Sequence, residues 1–189
     1  MRLIATCFMC ALLWAGAASA GNVIQTAEFP GMTPQRLYDA YLSSKDHAGM
    51  TGMPATWFRP ATGKDVAVGE VGDEFHGFGM TGSDGKFHYL LGGKLLDLVP
   101  GKEIVMTWRA AMWDLPAGAP DCILTLTFAK VPGGAEIRLV QVNVPDFPGD
   151  GADATGAPET ETDHVNTNWY FRYWEPMRKY FAVQASPKP

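Results

Sequence analysis

Four histidines, scattered carboxylates and a few methionines are the residues of this 189-residue chain whose types could do chemistry. The spacing His47-x-x-Met50-x-x-Met53 joins intermediate and soft ligands of the kind that suit Cu(I). Gly49 and Gly52 place it on a loop, and methionine is common core filler. Glu74 and His76 alternate onto one strand face, with His88 expected on the neighbouring strand. No pair among them has a zinc-enzyme spacing such as His-Glu-x-x-His. If the chain were an enzyme working inside its core, Glu74 and His76 would be the first candidates. Asp150-Gly-Ala-Asp153 gathers oxygens that calcium could take, without the order of an EF-hand loop. Cys122 lies in the apolar run Cys122-Ile123-Leu124, where a buried thiol is the default and no cationic neighbour activates it. Nucleophile elbows, phosphate-cradling glycine loops and a Ser-His-Asp order are absent from the sequence. These residues assign no catalytic group, no metal and no cofactor.

The elements that must position such residues are legible from turns and periodicity. A strand is expected over 22–29, then a helix with Thr33 as N-cap and Pro34 at its first position. Leu37, Tyr38, Tyr41 and Leu42 recur at helical spacing, Ser43-Ser44 interrupts, and a short turn over 45–50 precedes Gly52. Trp57-Phe58 begins a loosely patterned stretch. Strands follow over 73–80, 87–98, 103–112, 121–130 and 135–144, with turn residues between them, as in an antiparallel meander. Within 103–112, Ile104, Met106, Trp108 and Met112 share one face; Cys122, Leu124, Leu126 and Phe128 do so in the next strand. The segment 145–163 reads as an acidic Gly/Pro-rich loop that includes Asp146, Asp150 and Asp153. Thr162 or Asp163 is then expected to cap a helix over 163–181. Trp169, Tyr173 and Met177 share a face of that helix, with Tyr170, Trp174 and Phe181 beside them, so it must pack on the sheet. Pro176 should bend or locally open it, and 185–189 is a tail.

Residues 1–20 read as a signal peptide, with Arg2 before an apolar stretch and Ala18-Ser19-Ala20 as the cleavage site. Cleavage after Ala20 predicts a periplasmic or secreted protein and leaves Cys122 as the sole cysteine, so no intrachain disulfide can form. No other stretch is apolar enough for a membrane span. The net charge of −5, more negative once Arg2 is removed, argues against nucleic acid and anionic membrane partners. Residues 21–184 are of a length for one domain.

Asp97-Leu98-Val99-Pro100 with Lys102, Ile104-Val105-Met106 with Trp108-Arg109 and Trp113, and Leu124-Thr125-Leu126-Thr127-Phe128 carry a family likeness. They closely resemble the C-terminal domain of the activators of heat-shock protein 90 ATPase, of the START-like (SRPBCC) helix-grip superfamily. The resemblance implies an α+β fold: a curved antiparallel sheet wrapped around a long C-terminal helix, with short helices after the first strand. It also implies an apolar cavity between sheet and helix. A small hydrophobic molecule is expected there, among Phe75, Phe78, Met106, Trp108, Leu124, Trp169 and Tyr173; the same residues simply filling a core is the alternative. Because the related chaperone is cytosolic and ATP-dependent, an exported relative would not activate it directly. A non-catalytic interaction module for an exported protein partner is the second function expected.

Overall fold

The computed structural model describes residues 20–113, 115, 117–145, 148–152 and 158–185; the leader expected over 1–20 lies outside these apart from Ala20. The first strand, β1 (Ala20–Pro30), leads into α1 (Pro34–Leu42), whose start follows from its local sequence. The Thr33 hydroxyl accepts the Arg36 N–H at 3.1 Å, and Pro34 occupies a position whose N–H would lack a partner anyway. Ser43 ends this helix and caps α2 (Ser44–Thr51), which closes on Gly52 at a φ of 67°. The loosely patterned stretch after it forms a hairpin, β2 (Ala55–Arg59) with β3 (Lys64–Val66).

β4 (Glu74–Gly77) is shorter than expected, because Phe78 takes a φ of 53° and breaks the strand. β5 (Met80–Thr81) and β6 (Phe87–His88) pair only with each other. The meander continues through β7 (Leu91–Val99), β8 (Glu103–Thr107), β9 (Arg109–Ala110), β10 (Ile123–Val131) and β11 (Gly134–Pro145). The main sheet runs β1-β11-β10-β8-β7-β4-β2-β3, antiparallel throughout, with β9 also paired to β7. Part of the segment expected as a loop is itself paired, β12 (Pro148–Ala152) with β13 (Pro158–Thr160). Asp146 and Asp153, along with the Asp150 side chain, lie outside what is described.

Alternation buries Ile104, Met106 and Trp108 with Leu124, Leu126 and Phe128 on the concave face, as expected. The phase fails at Met112: strand pairing stops at Ala110, so Met112 is 65% exposed and Trp113 turns inward instead.

The C-terminal helix begins earlier than expected. Thr160 caps α3 (Glu161–Asn168) in a capping box with Asp163, so Asp163 is the third helical residue and not the cap. A π-helical turn, Trp169–Trp174, joins α3 to α4 (Glu175–Ala185). Pro176 explains its place: proline lacks an N–H and its ring collides with the carbonyl four residues back, and the wider turn relieves both. The same widening lets Tyr173 and Trp174 both face inward with Trp169, Met177 and Phe181. Tyr170, expected beside them, is 47% exposed on the outer side. Among the described residues, no helix is long and apolar enough to cross a membrane.

An ion pair between buried Asp73 and partly exposed Arg59 closes the far edge of the sheet. Arg59 donates to both oxygens of Asp73, at 3.0 and 2.9 Å, and the Glu70 N–H adds a third bond at 2.9 Å. The Arg59 hydrogen bond holds the Asp73 carboxyl below its usual range. Its stabilisation is therefore complete above the unfolded pKa of about 4 and disappears as pH falls through the lower folded value. Asp73→Ala should lower stability by about 1–3 kcal/mol at pH 7 in denaturant titration, and this deficit should shrink as the pH is taken below 4.

Candidate functional site

Where α3 and the π-helical turn cross the β7–β9 end of the sheet, they leave a cavity of about 240 Å³. Phe78, Trp108, Trp113, Trp169 and Tyr173 supply its aromatic walls, and Leu90, Leu91 and Ala110 its aliphatic ones. Glu161, His164, Asn168 and Arg172 stand on the helix side as its polar rim. Of the residues proposed from sequence, Phe78, Trp108, Trp169 and Tyr173 meet here. Phe75, Met106 and Leu124 do not line it; they are packed behind it in the core, Phe75 stacked on Trp108 at 5.9 Å.

Three of the aromatic walls, Trp113, Trp169 and Tyr173, are held by their polar ends. The Trp169 indole N–H donates to Gln141 Oε1 at 2.7 Å, and the Gln141 amide donates in turn to the Cys122 sulfur at 3.2 Å. Burial pushes the Cys122 thiol up to about 11, so it is a packing group and a weak acceptor. Trp113 donates to Glu161 at 2.7 Å across 48 residues of sequence, tying the strand end to the start of α3. Trp174 donates to Gln25 of β1, and Gln25 donates to Asn166 at 2.6 Å.

Tyr173 is positioned by His47, which is fully buried. The His47 Nδ1–H donates to the Tyr41 carbonyl at 2.9 Å, which leaves Nε2 to accept the Tyr173 hydroxyl at 3.2 Å. Both ring nitrogens are engaged within the core, and Met50 is fully buried beside them, so His47-x-x-Met50-x-x-Met53 is a packing motif and not a copper site. Burial lowers the His47 pKa to about 4 and raises that of Tyr173 well above its ordinary value. Near neutrality both are uncharged and act as orienting hydrogen-bond partners.

Phe78 is the strained member. A left-handed φ of 53° is costly for a bulky side chain, and such residues persist where surrounding structure imposes them, often at binding sites. Its N–H is held by the Pro54 carbonyl at 2.9 Å, and its ring meets Tyr173 edge-on at 5.4 Å.

The alternative candidates lie elsewhere. Glu74 and His76 pair at 3.7 Å on the opposite face of the sheet, away from the cavity, which removes them as cavity acid or base. His88 pairs with Asp84 at 3.1 Å on the surface. Among the described residues, no three His, Cys, Asp or Glu side chains are grouped to hold a metal ion. Sequence reasoning missed Trp113, Ala110 and the polar rim, since their places depend on where β9 stops and on how α3 crosses it.

Residues 32–182 match the model of a family described as Activator of Hsp90 ATPase homolog 1-like protein. Over 104 residues the chain is 32% identical to the human Activator of 90 kDa heat shock protein ATPase homolog 1 and 31% to its mouse counterpart. Each match covers 53% of this chain and 26% of the relative, so the chain spans about a quarter of those proteins. Among solved structures, a protein from Chromobacterium violaceum is 25% identical with a TM-score of 0.54, over 88% of this chain and 98% of that one. An HSP90 activator from Plasmodium falciparum shares the fold at 16% identity and a TM-score of 0.54, over 89% of this chain and 99% of its own.

The buried imidazole makes a pH prediction. The unfolded chain takes up a proton near pH 6.5 that the folded chain refuses until about pH 4, so stability is full above 6.5 and lost as pH falls to 4. This group should remove up to about 3 kcal/mol over that window. His47→Gln should be less stable at pH 7 yet show a flatter stability–pH curve in that window, measured by denaturant titration.

Proposed function

Because this chain belongs to the family of Activator of Hsp90 ATPase homolog 1-like proteins, we propose that it is an exported helix-grip domain that binds a small hydrophobic molecule between sheet and C-terminal helix. The observation that carries this reading is the cavity of about 240 Å³, walled by aromatic side chains and rimmed by polar ones. An apolar cavity of roughly 150 Å³ already takes up benzene, and pockets for drug-sized ligands begin at roughly 300 Å³. The volume therefore suits one or two rings or a short acyl chain, not a whole lipid. Burying the apolar surface of such a molecule stabilises the complex at roughly 25 cal/mol per Å². Arg172 and Asn168 on the rim would then orient a polar end, with the cation favouring an acid.

Export rests on the leader pattern of residues 1–20, and cleavage there is compatible with the first strand. Cleavage after Ala20 removes a single residue of β1, and Gly21 onward remains paired, beginning with Gly21 opposite Val144. A second reading, an interaction module for an exported protein partner, draws on the names of the relatives and on the exposed pair Tyr170 and Phe171, 47% and 58% accessible.

Titration with indole and with short fatty acids should change tryptophan fluorescence and saturate at one molecule per chain. Ala110→Met, which extends a side chain into the cavity from β9, should weaken binding at least ~10-fold while the protein stays folded. Native mass spectrometry of protein purified without detergent should show an added mass released by organic solvent. Bare polypeptide together with an unchanged fluorescence would discard the cavity reading in favour of the protein partner.

A further inference from the structure

The face of the sheet turned away from the helix has its own cleft, about 610 Å³, whose floor is a glycine that the backbone does not demand. Glycine in the middle of a strand weakens it and often marks a place where a ligand comes close. Gly93 has a local reason to be glycine, since a Cβ there would stand 2.0 Å from the Thr107 carbonyl oxygen. Gly92 has none. It is not among the glycines with positive φ, and a Cβ on it would meet only the Phe75 carbonyl oxygen at an ordinary 3.5 Å.

Register places this bare position between two polar side chains. His76 of β4, Gly92 of β7 and Arg109 of β9 are direct cross-strand neighbours in one row. At a strand spacing near 4.8 Å the outer two stand roughly 10 Å apart with nothing but backbone between them. On one side the wall is aromatic: His76 stacks on Phe58 at 5.5 Å and 16°, and Tyr89 packs against it at 5.3 Å. On the other side is the Arg109 guanidinium, which carries five N–H donors and spends one on a long 3.4 Å bond to the Trp113 carbonyl. Lys94 follows in the next row, directly opposite Glu74, which stands 3.7 Å from the His76 ring nitrogen.

We propose that this slot over Gly92 is a second binding site, independent of the helix-side cavity, and that it takes a small aromatic carboxylate. The ring lies on the Gly92 backbone against Tyr89 and His76, and the carboxylate meets the Arg109 fork in the paired geometry that guanidinium favours.

Benzoate is the probe, with benzamide as its uncharged counterpart, followed by amide NMR of the whole folded protein. In the Ala110→Met protein, whose helix-side cavity is filled, benzoate should produce saturable shifts centred on Gly92, His76 and Arg109, and benzamide should not. Arg109→Gln should weaken benzoate binding roughly 10-fold or more. Gly92→Val should abolish it and yet raise the melting temperature by roughly 2–4 °C, because a β-branched residue replaces glycine in a strand. Relative to the unsubstituted protein, Ala110→Met should leave these shifts unchanged. Unsaturable or scattered shifts would overturn the site, as would equal binding of benzamide. A Gly92→Val variant that melts lower, or that still binds benzoate, would equally overturn it by showing a structural glycine or an unused slot.

Discussion

The indole and phenol rings that the C-terminal helix carries into the sheet bring polar ends with them, and the interior has to satisfy those ends. Trp169 does so through Gln141, Trp174 through Gln25 and Tyr173 through His47. Apolar burial alone would let the helix rotate or slide, since it is roughly indifferent to direction. A buried N–H or O–H without a partner costs about 1–3 kcal/mol, so these bonds select one rotation and one register. Gln141 is fully buried on β11 because it serves Trp169 and Cys122 at once. The phenol of Tyr41 and the indole N–H of Trp57 are buried without a protein partner among the described residues, deeper than the cavity.

With the helix held in this way, the cavity follows from two local irregularities. The π-helical turn before Pro176 brings Tyr173 and Trp174 inward together, and the left-handed Phe78 ends β4 so that its ring can meet Tyr173. Both irregularities sit at the cavity wall.

The two faces of the sheet divide the chemistry between them. The concave face keeps its titratable groups neutral through burial, His47 and Tyr173 among them, and so offers shape and apolar area. The open face keeps charged groups in contact with water, with Glu74, Lys94 and Arg109 arranged around a glycine floor. Because strand alternation sends neighbouring residues to opposite faces, Phe75 and His76 serve different environments from adjacent positions.

The sequence by itself determined whatever is decided between near neighbours. Thr33-Pro34 starts α1, Gly52 closes α2, and alternation places Ile104, Met106, Trp108, Leu124, Leu126 and Phe128 inward. These outcomes depend on φ and ψ preferences and on periods of two or about 3.6 residues, which a short segment carries within itself. The likeness of the stretch from Asp97 to Phe128 to a known family carried the α+β helix-grip architecture as well. The tertiary structure alone decided the change of phase between Met112 and Trp113, the strained Phe78 and the burial of His47. Trp113 finds Glu161 across 48 positions, Trp169 finds Gln141 across 28 and His47 finds Tyr173 across 126. Such pairs form only once the chain has brought distant segments together, because a hydrogen-bond partner is chosen by position in space and leaves no periodic trace in either segment.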